Sequence, residues 1–190
     1  MKKTLITACL YTAITAVLFG VIYPLAVTGV AHLVFPRQAS GQLLTKDGTL
    51  IGSRLIGQAF TGPSYFHSRP SAAGTGYDAS SSSGSNLGPA SKALSDRMQQ
   101  SVEAEKGSSA VPVDLITASG SGLDPDISPA AGLYQVARVA KERHLSEESV
   151  RSVVQAHITP RQFGLLGEPR INALELNLAL DGLSAQITKP

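Results

Sequence analysis

The sequence contains no tryptophan, a single cysteine and only 5% aromatic residues in 190 positions. One cysteine excludes both an intrachain disulfide framework and a thiolate-clustered zinc site. That residue, Cys9, lies in an apolar N-terminal stretch, so the domain that follows must be stable through its core alone. Charge is sparse as well, at 16% of residues. Apart from Lys2 and Lys3 the basic and acidic residues balance, which argues against nucleic acid as a partner. The four histidines, His32, His67, His144 and His157, are never paired at ligand spacing, and no His-Glu-x-x-His occurs, so solvated or capping roles are expected and no metal site.

Catalytic signatures are missing too. No Gly-x-x-x-x-Gly-Lys-Ser/Thr string is present to cradle phosphates, and Gly74-Thr75-Gly76-Tyr77-Asp78-Ala79 fits the relaxed dinucleotide pattern without the preceding strand that pattern requires. Neither Ser85, Ser119 nor Ser121 sits in a Gly-x-Ser-x-Gly elbow. Asp124-Pro125-Asp126 lacks the alternating ligands and closing glutamate of a calcium loop and reads as a plain turn. No catalytic residues are assigned, and function is expected to lie in what the domain touches.

What the sequence does have is a long apolar run. From Leu5 to Phe35 it carries no formal charge, well beyond the roughly 20 residues a membrane-spanning helix needs and about twice a signal-peptide core. Residues 1–35 are read as a cytoplasmic N-terminus with a transmembrane anchor. Residues 36–190 are read as a single mixed α+β extracytoplasmic domain, with Lys2 and Lys3 favouring an inside N-terminus. Pro24, mid-segment, is expected to kink the helix. Thr4, Ala8, Thr12, Ala16 and Gly20 recur at every fourth position, a ridge of small side chains suited to docking another helix in lipid.

In the domain, Asp47-Gly48 predicts a hairpin over 42–53, with Leu55-Ile56 continuing in strand. The stretch 61–89 is loop by its Gly, Pro and Ser content, and at that length points to a binding loop or to disorder. Within it, Tyr65, Phe66 and Arg69, together with Ser85, Asn86 and Leu87, form a candidate partner interface, since Tyr, Phe and Arg anchor interfaces when desolvated. Leu94, Met98 and Val102 predict an amphipathic helix between Ser91 and Lys106, and Val111–Thr117 a short strand before a sharp turn at Ala118–Gly122. Ser128-Pro129 and Ser146 open two further helices, the second stopped by Thr159-Pro160. Asn172 with Glu175 starts a last helix ending before Gly182, although Leu174, Leu176, Leu178 and Leu180 also alternate as a strand would.

Several strings together resemble one family. They are Tyr23-Pro24-Leu25, the stretch Leu55–Phe60, Tyr65-Phe66-His67-Ser68-Arg69-Pro70-Ser71-Ala72, Ser83-Gly84-Ser85-Asn86-Leu87-Gly88, Val111 through Asp124, and Leu174 through Asp181. In this order and spacing they resemble the C subunit of the bacterial Kdp-type potassium-transporting ATPase. The resemblance implies a cell inner membrane complex with a channel-like potassium-conducting subunit, a P-type ATPase subunit and a small fourth subunit. In it the C subunit acts as an assembly factor or catalytic chaperone that raises the ATP affinity of the ATPase subunit. ATP itself is implied by the resemblance only, through a Leu-Ser-x-x-Gln string matched here by Leu145-Ser146-Glu147-Glu148-Ser149, where Ser149 replaces the glutamine and Ser146 reads as a helix cap. The alternative reading is a membrane-anchored extracytoplasmic enzyme or ligand-binding module using the Ser/Gly-rich loops.

Overall fold

An unbroken helical run from Lys2 to Val34 opens the chain in the computed structural model, which describes residues 1–107 and 109–187. The run comprises α1 (Lys2–Val17), a π-helical stretch (Leu18–Ile22) and α2 (Tyr23–Val34). Pro24 has no N–H, and its ring crowds the carbonyl four residues earlier. The disturbance expected there takes the form of widened π turns just before the proline rather than an end to the helix. No residue of the run is buried, and Leu10, Phe19 and Leu25 are each more than half exposed.

A one-turn helix α3 (Pro36–Ala39) leads into the hairpin of β1 (Leu43–Lys46) and β2 (Thr49–Ser53). Asp47 and Gly48 take φ of 52° and 78°, the two successive left-handed residues that match a tight turn to strand twist. β2 stops at Ser53, whose Oγ accepts the Leu55 N–H at 3.1 Å. Leu55 and Ile56 therefore lie in a turn, exposed, instead of continuing the strand. The helical run and the hairpin up to Ile51 form one unit, and Gly52 onward forms a second.

The second unit is a small α+β domain. Its helices are α4 (Lys92–Ala104), α5 (Pro129–Arg143), α6 (Glu147–Ala156) and α7 (Ala173–Ile187). Two short strands, β3 (Asp126–Ile127) and β4 (Ile171–Asn172), pair antiparallel with Ile127 opposite Ile171. The starts of three helices follow the sequence signals. Ser128 Oγ accepts from Ala131 N, Ser146 Oγ from Ser149 N, and Asn172 Oδ1 from Glu175 N, each satisfying an N–H that has no partner within its helix. α5 ends on His144 in the left-handed conformation, φ 55°.

Two further expectations are corrected. Val111–Thr117 is not a strand: Pro112 starts a single 3-10 turn at Val113–Leu115 that buries only Leu115 and leaves Val113 70% exposed. Asp114 in that turn accepts from Ser128 N at 2.7 Å and from its hydroxyl at 3.1 Å, so the segment reinforces the start of α5. The last helix runs through Gly182 rather than stopping before it. Burial of Leu174, Leu176, Asn177 and Leu180 holds its earlier turns, and a helical glycine costs only about 1 kcal/mol against that. Leu176 and Leu180 pack with Ile127, Val136, Val139, Val150, Val154 and Ile171 as the core.

Candidate functional site

The long loop that follows the hairpin is ordered by side chains in place of a sheet. Phe66 inserts fully into the core, and Asn177 of α7 bonds both its N–H (2.8 Å) and its carbonyl (3.0 Å). Gln135 of α5 does the same for His67, at 2.7 and 3.2 Å. Arg138 donates to the carbonyls of Pro63 and Tyr65, and Arg143 to that of Ser64. Each amide side chain thus imitates a neighbouring strand, supplying one acceptor and one donor. Burial displaces the Arg138 guanidinium below its ordinary range, with Glu105 and Glu142 opposing the shift.

Beside this strap lies a cleft of about 390 Å³ lined by Phe60, His67, Ser68, Arg69, Tyr77 and Glu105, among others. His67 Nδ1 lies 2.5 Å from Glu105 Oε1, and its Nε2 faces the Gly62 carbonyl at 3.2 Å. Both ring nitrogens therefore meet acceptors, and the ring is not placed to deprotonate a neighbouring hydroxyl without giving up one of these bonds. Arg69 pairs with Asp124 at 3.0 Å. Tyr77 donates its hydroxyl to the Arg69 carbonyl, and burial raises that phenol above its ordinary value, keeping it a neutral donor. Two buried polar atoms at this wall, Ser68 Oγ and Arg69 Nε, have no hydrogen-bond partner among the described residues. His67, Arg69 and Tyr77 are thus each held in place by partners within the domain.

The interface residues read from sequence separate on this geometry. Phe66 is wholly buried and has no surface to offer a partner in the folded domain, a correction whose cause is its insertion into the core. Tyr65 is half-buried, tilted against Phe60 with ring centroids 5.8 Å apart and covered by the Arg143 guanidinium at 4.8 Å. Arg69 retains a quarter of its side-chain surface while bridging to Asp124. Ser85 and Leu87 are half-buried and Asn86 is exposed with φ 52°. Sequence reading missed Gln135, Arg138 and Asn177, which carry no motif. It also missed Phe163, Leu165 and Leu166, exposed by 96%, 76% and 56%, whose available signal was an apolar cluster between Pro160 and Pro169, punctuated by Gly164 and Gly167. Thr4, Ala8, Thr12 and Ala16 lie on α1 and Gly20 in the π-helical stretch.

A family model described as K+-transporting ATPase, c chain (KdpC) matches residues 5–182. The chain belongs to the KdpC family. Curated relatives agree along almost the whole length. A potassium-transporting ATPase KdpC subunit of Koribacter versatilis is 57% identical over 185 residues, 96% of each chain. That of Acidobacterium capsulatum is 59% identical over 92% of this chain and 96% of the relative. That of Rhodopseudomonas palustris is 54% identical over 95% and 98%. The match to this family takes in the apolar helix from Leu5 onward, the strap and the cleft.

Proposed function

We propose that this chain is the non-catalytic C subunit of an ATP-driven, high-affinity potassium uptake complex. It holds the assembly together and raises the affinity of the P-type ATPase subunit for ATP. The observation that carries the reading is family membership over residues 5–182. In keeping with it, Ser128 and Ser146 cap helices, and His67 is tied at both ring nitrogens. In this reading the helix from Lys2 to Val34 anchors the chain in the inner membrane and the domain lies outside the cytoplasm. There it braces the channel-like subunit and shapes the potassium entrance. A domain so placed does not meet cytosolic ATP, so its effect on ATP affinity is conformational, through preference for one state of the complex. Ser146 and Ser149, within the string resembling a nucleotide signature, bond one another at 2.7 Å at the start of α6, which favours a capping role there.

The test is to express the conducting, ATPase and small subunits with and without this chain. ATPase activity against ATP concentration should show a clear rise in the ATP concentration for half-maximal rate when the chain is omitted, in whatever complex is recovered. An unchanged ATP dependence in an equally well assembled complex would remove the affinity role.

A further inference from the structure

Between α6 and β4 the chain forms a small projecting hairpin. Thr159 and Arg170 exchange backbone hydrogen bonds at its base, at 2.8 and 3.0 Å, and Gln162 N–H donates to the Leu166 carbonyl at 2.9 Å nearer the tip. Arg161 and Glu168 are joined across it at 2.6 Å. Every residue from 161 to 168 is exposed, yet three of the eight are large and apolar: Phe163, Leu165 and Leu166. Phe163 is bare to 96% and sits at φ 54°, a left-handed conformation uncommon for a bulky side chain, which glycine would adopt without cost. A strained backbone that holds an aromatic ring in solvent has no folding benefit, and strain of this kind collects where function maintains it.

We propose that this tip is a preformed plug that seats Phe163, Leu165 and Leu166 in an apolar pocket of another protein subunit of the same transport complex. The inference rests on the subunit reading above and adds the surface through which the subunit is held. A protein pocket is favoured over a lipid surface on two grounds. Lipid demands no fixed geometry, whereas this tip is fixed by two bridges and an ion pair, and rigidity in the bound shape reduces the cost of docking to a rigid partner. The charges within the tip, Arg161 and Glu168, also cancel each other, leaving it without the excess of basic residues that draws a segment to anionic lipid.

The test uses the full chain co-expressed with the other subunits. Phe163→Gly relieves the backbone strain, so the thermal midpoint of the chain should stay level or rise while recovery of the complex falls. Leu165→Ser should lower recovery without moving the midpoint. Loss of a buried Phe or Leu contact corresponds to roughly tenfold or more in affinity. A photo-crosslinking phenylalanine analogue at position 163 should yield an adduct with one partner subunit. Wild-type recovery in both variants, or an adduct with lipid or with a second copy alone, would overturn the plug. Failure of the wild-type chain itself to recover any subunit would instead overturn the subunit reading, and the plug with it.

Discussion

Asn177 uses its amide on both backbone groups of one residue, accepting from the Phe66 N–H and donating to the Phe66 carbonyl while itself only 2% exposed. Removing the amide strands a buried donor and a buried acceptor at once, each costing about 1–3 kcal/mol when unpaired. Asn177→Ala should therefore destabilise the domain by about 2–4 kcal/mol in chemical denaturation, whereas Gln99→Ala on the exposed face of α4 should stay within about 0.5 kcal/mol. An effect of Asn177→Ala no larger than that of Gln99→Ala would show that Phe66 is held by packing alone. Asp126 offers a second residue-level test. Its carboxylate lies 3.0 Å from Arg170 Nε, but burial outweighs that attraction and, with Asp124 adding to it, raises the group above its ordinary value. The folded state thus holds this proton more tightly than the unfolded chain does, so this group's contribution to stability declines as pH rises from about 3.9 through the raised folded value. Asp126→Asn should flatten that part of the stability profile, and an unaltered slope would assign it to other groups.

At the scale of elements, local chemistry was legible and long-range pairing was not. The caps at Ser128, Ser146 and Asn172 and the Asp47-Gly48 turn could be read because each signal spans only a few residues. The strap around Phe66 could not, because its partner Asn177 lies 111 positions away. The two-residue strands β3 and β4 are too short to carry an alternation pattern. Val111–Thr117 misled because an apolar run looks the same whether it enters a sheet or makes a 3-10 turn. The small-residue ridge needs a similar refinement. Successive fourth residues advance about 40° around an α-helix, so a purely α-helical Thr4 to Gly20 would wind about 160° around the axis, and Gly20 is shifted off that row because the wider π turns it lies in advance less per residue. A docking helix would have to follow this inclined row and cross at an angle, as rows of fourth residues do when they interlock. Ala16→Leu should then weaken recovery of the complex more than Gly20→Leu, by roughly 1–2 kcal/mol through overpacking, with Val17→Leu tolerated. Co-purification at equal expression reads the difference, and equal recovery for all three would reduce the helix to an anchor.

For the molecule as a whole, the side of the membrane on which the domain lies decides what it can touch. The helix from Lys2 to Val34 has 33 residues, about 50 Å at 1.5 Å per residue, against a hydrocarbon core of about 30 Å. In a bilayer, tilt would accommodate some of the excess and the remainder would extend beyond it. Lys2 and Lys3 lie at one end and Arg37 and Lys46 beyond the other, so charge density close to the helix, not its total, carries the orientation. The two lysines are adjacent at the very end of the apolar run, and a long domain is translocated largely regardless of its own charge. A reporter enzyme that works only outside the cytoplasm, fused after Pro190, should therefore be active. Lys2→Glu with Lys3→Glu should lower that activity by weakening the retention of the N-terminus. A fusion active only with a cytoplasmic reporter would place the domain with the ATPase machinery. The potassium-entrance role would then fall, and direct contact with nucleotide would become the reading to test.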